Sequence, residues 1–318
     1  MRGGKSGIVF FHRGSSWYLP YVLYQARHAS PDSPVALIGQ DVDVPGITTV
    51  GLDRFAGEAG ISEFTRSYRH LSGNGYEYEL YCYLRWFYLL HYMRESGLSA
   101  ALYLDSDALL FSPLEEIQTW LGEGCGCALS VPAQSHESRY WCASGHASYW
   151  TLPELESFCA FALESYRDEQ LLAQYEDKRS SYSAEGVSDM TTLYLFWRTR
   201  AAGAVNSAIR RNGAVIDHNL NLASNYEANE YVTAFDRKKV AIVDRKALIQ
   251  AQGAQEPVTA HILHCQGRAK AWIPLFYQGP DFEGKRASDG EARKRRRALT
   301  LTYPARHVFR LIKRVPGQ

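Results

Sequence analysis

Two aspartates one residue apart, Asp105-Ser106-Asp107, are the first residues in this chain whose type and spacing suggest chemistry. The apolar run Ala100-Ala101-Leu102-Tyr103-Leu104 leads straight into them, and Ala108-Leu109-Leu110-Phe111 follows at once. Such a run reads as a strand covered on both faces. The acids then sit at its carboxyl end, where open α/β sheets bind their ligands. Carboxylates flanked by core residues are short of water and need a positive partner. A divalent cation shared between them meets that need; a helix cap or a structural ion pair would meet it too. Spacing alone decides little, because Asp41-Val42-Asp43 repeats it in a loop that reads as a solvated turn.

A second group lies late in the chain. The strand-like run Ala260–Leu263 leads into His264-Cys265-Gln266-Gly267-Arg268-Ala269-Lys270-Ala271-Trp272. A histidine after a strand offers a neutral nitrogen to a metal. Gly267 lets backbone approach a phosphate, and Lys270 adds charge. Other polar residues have plainer readings beside functional ones. Asp189 suits the N-terminus of a helix, and Arg85 suits a surface contact with Glu77 or Tyr81. Asp217-His218-Asn219 reads as a turn satisfied by its own backbone, or as part of an acceptor side. His12 and Arg13 follow the first strand at the mouth of the sheet.

The elements that must position these residues read as alternating strands and helices. Ile8–Phe11 and Val35–Ile38 flank a helical stretch from Trp17 to His28. A strand–helix–strand opening of about thirty residues predicts a parallel sheet. A long helix is predicted over Tyr76–Ser96, stopped by Gly97, with most of its many rings used for packing. Further helices are expected near Leu114–Leu121, Leu152–Tyr166 and Asp189–Arg200, and strands at Ala214–Ile216 and Val240–Val243. A Gly- and charge-rich stretch from Gln278 to Gly290 ends the compact part. The chain thus divides into a domain over residues 1–280 and a basic tail over 281–318.

Composition narrows the class. With 318 residues, 46% hydrophobic and 22% charged, the chain is not disordered. No apolar run reaches the ~20 residues of a membrane-spanning helix, and Ile8–Phe11 is too short for a signal-peptide core, so a cytoplasmic protein is expected. Six cysteines without framework spacing read as reduced thiols. The balance of 35 basic and 34 acidic residues hides an asymmetry: Glu291–Gln318 holds nine basic residues and one acid, leaving 26 against 33 in the rest. An acidic body is not a nucleic-acid surface. The tail segment Arg306–Val315 interleaves basic and apolar residues, which suits either the inner face of an anionic membrane or a disordered solubilising tail.

Asp-x-Asp after a strand together with a late His-x-x-Gly-x-x-Lys-x-Trp resembles the nucleotide-sugar glycosyltransferases of GT-A fold, and is most similar to the retaining enzymes of the family 8 type. The resemblance runs from about Ile8 to Trp272 and implies an α/β, Rossmann-like sandwich with a mostly parallel central sheet flanked by helices. It implies Asp105, Asp107 and His264 as ligands of Mn²⁺ or Mg²⁺, with Ser106, Gly267 and Lys270 at the donor diphosphate. Arg85 would reach the donor from the helix before the aspartate strand, Ser144-Gly145-His146 would form a small-residue turn beside the donor sugar, and Asp189 would stand near the sugar's reactive carbon. His12 would contact the nucleotide. The implied donor is a UDP-sugar, and the implied acceptor a glycan or lipid-linked molecule. The chain departs from the family pattern at Ala271 (usually Pro), at Ser144 (Asn), at Met190 (Gln), and at His12-Arg13-Gly14-Ser15-Ser16, where an acid usually meets uracil. Two other readings stay open. One is a sugar-nucleotide nucleotidyltransferase, although Gly3-Gly4-Lys5 precedes the first strand instead of following it; the other is a non-catalytic nucleotide-sugar-binding protein.

Overall fold

Strand β1 (Ser6–Phe11) is apolar from Ile8 onward because both of its faces are covered: Ile8 and Phe10 enter one buried cluster and Val9 the other. The computed structural model describes residues 4–39, 42–137, 139–181, 186–200 and 203–313, with side chains to residue 299. Asp41 and the side chains of the tail segment 306–315 lie outside the described residues. β1 pairs in parallel with β2 (Val35–Gly39) and β4 (Ala100–Asp105), and β2 with β3 (Ile47–Gly51). Helix α1 (Leu19–Ala29) is the crossover between β1 and β2. The sheet continues through β6 (Cys127–Ser130), β7 (Ser144–Thr151) and β8 (Ala204–Asn206) in the order β3-β2-β1-β4-β7-β6-β8. Only β7 runs against the other strands. The result is the expected α/β, Rossmann-like sandwich, with a largely parallel central sheet between helical layers.

Helices α1 and α4 (Leu114–Leu121) cover one face. α2 (Ala59–Ser67), α3 (Tyr76–Ser96), α5 (Leu152–Glu164), α6 (Glu169–Ser181) and α7 (Asp189–Trp197) cover the other. α3 has the expected bounds. Gly97 ends it at φ +68°, a left-handed conformation that glycine adopts without steric cost. Its rings divide as the packing requires: Tyr83, Trp86, Phe87, Tyr88 and Tyr92 are buried, while Tyr76 and Tyr78 stay exposed.

A second sheet joins β5 (Ala108–Leu110) to β14 (Val258–His264), with β9 (Ala214–Ile216), β12 (Val240–Val243) and β13 (Lys246–Ile249) completing it. β10 (Thr233–Ala234) and β11 (Arg237–Lys238) form a small hairpin beside it. Asp105-Ser106-Asp107 is therefore the link between a strand of one sheet and a strand of the other. Past β14 come α8 (Ile273–Phe276) and α9 (Lys285–Lys313). The chain keeps touching the body beyond residue 280: Phe282 stacks on Tyr24, the Tyr21 hydroxyl donates to Asp289 at 2.7 Å, and Ala292 is buried. No described helix is long and apolar enough to cross a membrane.

One expectation is corrected. Ser144-Gly145-His146 does not form a turn; it opens β7, with all three residues buried between β4 and β6. Small and polar types look like turn residues in sequence, but Gly145 is small here because Trp86 lies against it. A Cβ on Gly145 would stand 2.4 Å from the Trp86 ring, which is itself packed by Tyr103, Trp150 and Phe158. Gly145→Ala should therefore lower stability by about 1–3 kcal/mol, measured as a shift of the urea midpoint at unchanged slope.

Candidate metal centre

Antiparallel pairing of β5 with β14 sets His264 opposite Ala108, the residue after Asp107. The Cys265 amide donates to the Asp107 carbonyl at 2.9 Å and extends that register by one bond. Side chains some 160 positions apart in sequence (105 to 264) are brought together in this way. Asp105, Asp107 and His264 each offer a ligand atom, and the three atoms lie within 4.8 Å of one another. His264 Nε2 is 3.4 Å from Asp107 Oδ1, and Lys270 Nζ is 2.6 Å from Asp107 Oδ2. Asp107 and His264 are buried and Asp105 half-buried.

Whether a divalent cation fits can be read from the hydrogens. His264 Nδ1 lies 2.7 Å from the carbonyl oxygen of His218. A carbonyl only accepts, so Nδ1 carries the hydrogen, and Nε2 is the nitrogen turned toward Asp107. Two carboxylates and an imidazole in that tautomer form a donor set suited to a divalent cation.

The charges are tightly linked. Burial alone would push the Asp107 carboxyl up, but the hydrogen bond and charge of His264, joined by Lys270, hold it below the usual carboxylate range. For His264 burial works downward, and the hydrogen bond and charge of Asp107 more than reverse it, so its pKa is raised. Lys270 is likewise raised by Asp107 against the effect of burial.

An open cavity of about 510 Å³ lies over the group. His12, Arg85, Asp105, Ser106, Asp107 and Lys270 all line it. His12 Nε2 is buried there without a hydrogen-bond partner, and burial lowers the ring's pKa. Gly267 opens the turn that carries Lys270; its φ is +58° and no atom lies within 4 Å of where a Cβ would stand. Ser144, Gly145, Asp189, His264 and Gly267 are not among the residues that line the cavity. Ser144 Oγ is 2.9 Å from His146 Nδ1.

Arg85 is not engaged in a surface contact with Glu77 or Tyr81. Its guanidinium bridges Asp105 Oδ1 at 2.8 Å and Asp189 Oδ2 at 2.6 Å. Asp189 also receives Trp86 Nε1 at 3.2 Å, and its backbone N–H donates to Glu79 Oε1 at 3.1 Å. Burial pushes its carboxyl up to about 6, with Arg85 pulling the other way and Glu79 adding to the rise. Nor is Asp217 a turn residue satisfied by its own backbone. It is fully buried in an ion pair with Lys238 at 2.5 Å, and its Oδ2 accepts the His264 amide at 3.2 Å.

Several participants carried no sequence signal. Tyr18, Glu77, Tyr78 and Tyr81 line the cavity but look like ordinary helix residues in sequence. Glu79 is nearly fully buried, held by Ser72 and Asn74. Lys238 sits in the charged run Arg237-Lys238-Lys239, which reads as a solvated face.

The raised pKa of His264 has a sign that can be tested. Below that pKa Nε2 holds a proton that an incoming cation must displace; above it the nitrogen is bare. Mn²⁺ affinity, measured by titration calorimetry, should strengthen as pH rises toward that pKa, by up to about tenfold per pH unit, and level off above it. A flat profile would show that His264 is not a ligand.

No family model matches the chain, and no curated protein does. Among solved structures it is similar to the PaToxG glycosyltransferase, at 12% identity and TM-score 0.36 over 61% of this chain and 70% of that one. It is similar to the galactosyltransferase LgtC in complex with donor and acceptor sugar analogs, at 15% identity and TM-score 0.46 over 89% and 99%. It is also similar to the apo form of mouse xyloside xylosyltransferase 1, at 10% identity and TM-score 0.43 over 69% and 87%.

Proposed function

We propose that this chain is a metal-dependent glycosyltransferase that moves a hexosyl group from a nucleoside-diphosphate sugar, UDP-linked, to a hydroxyl of a glycan or lipid-linked acceptor. The observation that carries the reading is the meeting of Asp105, Asp107 and His264, whose two aspartates, with Lys270, make one wall of an open cavity. That wall stands beyond the carboxyl ends of β1 and β4, where an α/β sheet presents its crevice.

In this reading Asp105, Asp107 and His264 hold Mn²⁺ or Mg²⁺. When bound, the cation supplies Lewis-acid stabilisation of charge on the leaving diphosphate. Lys270 and the Gly267 amide add donors to the same phosphates. The bond from the sugar's anomeric carbon to the phosphate oxygen breaks, with its electron pair going to the diphosphate. The acceptor hydroxyl oxygen bonds to that carbon, and its proton goes to a departing phosphate oxygen. Attack from the same face gives retention. Asp189 stands behind Arg85 and does not line the cavity, so its proposed part is to hold the Arg85 guanidinium and to offset positive charge on the sugar ring from a distance. His12 and Ser106 are proposed to contact the donor, with Ser144 and Gly145 supporting the floor. The basic C-terminal helix is proposed to rest on an anionic membrane at its cytoplasmic face; co-sedimentation with phosphatidylglycerol vesicles, lost in high salt, tests that.

The chain should release nucleoside diphosphate from one member of a nucleotide-sugar panel only when Mn²⁺ or Mg²⁺ is present. Asp107→Ala should cut that rate at least about 100-fold at an unchanged circular-dichroism spectrum. Pyrophosphate instead of diphosphate would point to nucleotidyl transfer, and silence with every donor to a binding protein.

A further inference from the structure

His264 is not held by hydrogen bonds alone. The ring of His146, from β7, lies face to face with it, centroids 4.1 Å apart and planes 11° from parallel. His146 is itself pinned at both nitrogens: Nε2 is 2.9 Å from the Asp217 carbonyl oxygen and Nδ1 is 2.9 Å from Ser144 Oγ. The carbonyl can only accept, so the hydrogen of His146 is on Nε2 and Nδ1 takes the serine hydroxyl. That tautomer is the reverse of the one in His264. The two rings thus hang from consecutive carbonyls, those of Asp217 and His218.

The Asp217-His218 stretch is clamped in turn. Lys238, fully buried, has four oxygens around its three ammonium hydrogens: Asp217 Oδ1 at 2.5 Å, Asn225 Oδ1 at 2.6 Å, and the carbonyls of Asn219 and Ser224, each at 3.1 Å, so that one hydrogen is shared. Asn225 closes the loop by donating to the Ile216 carbonyl and accepting from the His218 amide. A side chain present only to fill space would need neither a flat face nor two oriented hydrogen bonds.

We propose that His146 is a positioning residue for the candidate cation: its flat face sets the plane of the His264 imidazole and so aims Nε2, while the buried Lys238–Asp217 pair fixes the two carbonyls from which both rings are hung. The proposal rests on the metal reading of the site but not on sugar transfer. His146→Phe keeps a flat ring and loses the two hydrogen bonds; His146→Leu loses the same bonds and the flat ring while keeping the bulk. The difference between them isolates the stack.

Mn²⁺ binding is followed by loss of the free-ion electron paramagnetic resonance signal, and Co²⁺ binding by its visible absorption bands. With both variants melting as cooperatively as wild type, Leu should weaken Mn²⁺ binding about 10-fold or more and shift the Co²⁺ bands, and Phe should stay nearer wild type in both. If Leu does not fold, His146→Gln takes its place with the same expectation. Wild-type affinity in the Leu or Gln variant, or equal loss in Phe, overturns the proposal. Wild-type protein that fails to bind Mn²⁺ overturns it together with the metal reading. Mn²⁺ binding without transfer from any donor overturns the transferase reading and leaves this proposal standing.

Discussion

The pairing of three residues of β5 with the end of β14 is the contact on which everything else depends, because it ties the two sheets together at the point where Asp107 meets His264. β4 belongs to the large sheet and β5 to the small one, with only Ser106 and Asp107 between them. A strand that changes sheets within two residues has little freedom in where its linking side chains sit. Once Leu109 and Leu110 are buried against Leu263 and Ile262, a one-residue slip would turn these side chains the wrong way, so the register holds. Asp107 and His264 are neighbours as a result of hydrophobic burial, not of their attraction for each other.

Around that contact the charges form two short chains. Lys270, Asp107 and His264 make one, and Asp105, Arg85 and Asp189 the other. In both, each carboxylate is flanked by cationic or hydrogen-bonding groups, which is how charges persist with so little water. Arg85 is the joint of the second chain: through it the half-buried acid at the cavity and the buried acid at the start of α7 share one guanidinium. A third pair, Asp217–Lys238, lies below and reaches no solvent; removing one partner of such a pair costs about 3–5 kcal/mol, because the other is left uncompensated. The charged groups below the cavity are therefore paired and buried, while Tyr78 at its rim stays exposed. The helix α9 bears on that turn as well, Arg296 donating to the Ala271 carbonyl at 2.5 Å.

Much of this was legible in the chain order because the relevant signals are local. A run such as Ala100–Leu104 has one physical reading, a strand without a wet face, and an acid pair at its end inherits a definite place. The bounds of α3 are equally local: a glycine-bounded start, apolar residues all along, and Gly97 to close it. Where reading failed, the residues were acting across elements. Ser144-Gly145-His146 has the composition of a turn, and nothing nearby in sequence announces the indole of Trp86 against which it is packed. Arg85 looks like any helix-surface arginine until Asp105 and Asp189 are found on either side of it.

The sequence by itself determined the layered α/β fold, the strand that presents Asp105 and Asp107, and the types of group available to a cation, since each follows from periodicity and side-chain chemistry along a few consecutive residues. Tertiary structure alone decided which nitrogen of His264 faces the carboxylates, that Arg85 joins Asp105 to Asp189, and that Lys238 is buried and not solvated. Those outcomes depend on register between strands far apart in the chain and on carbonyl groups that every residue carries, so no residue type could have announced them.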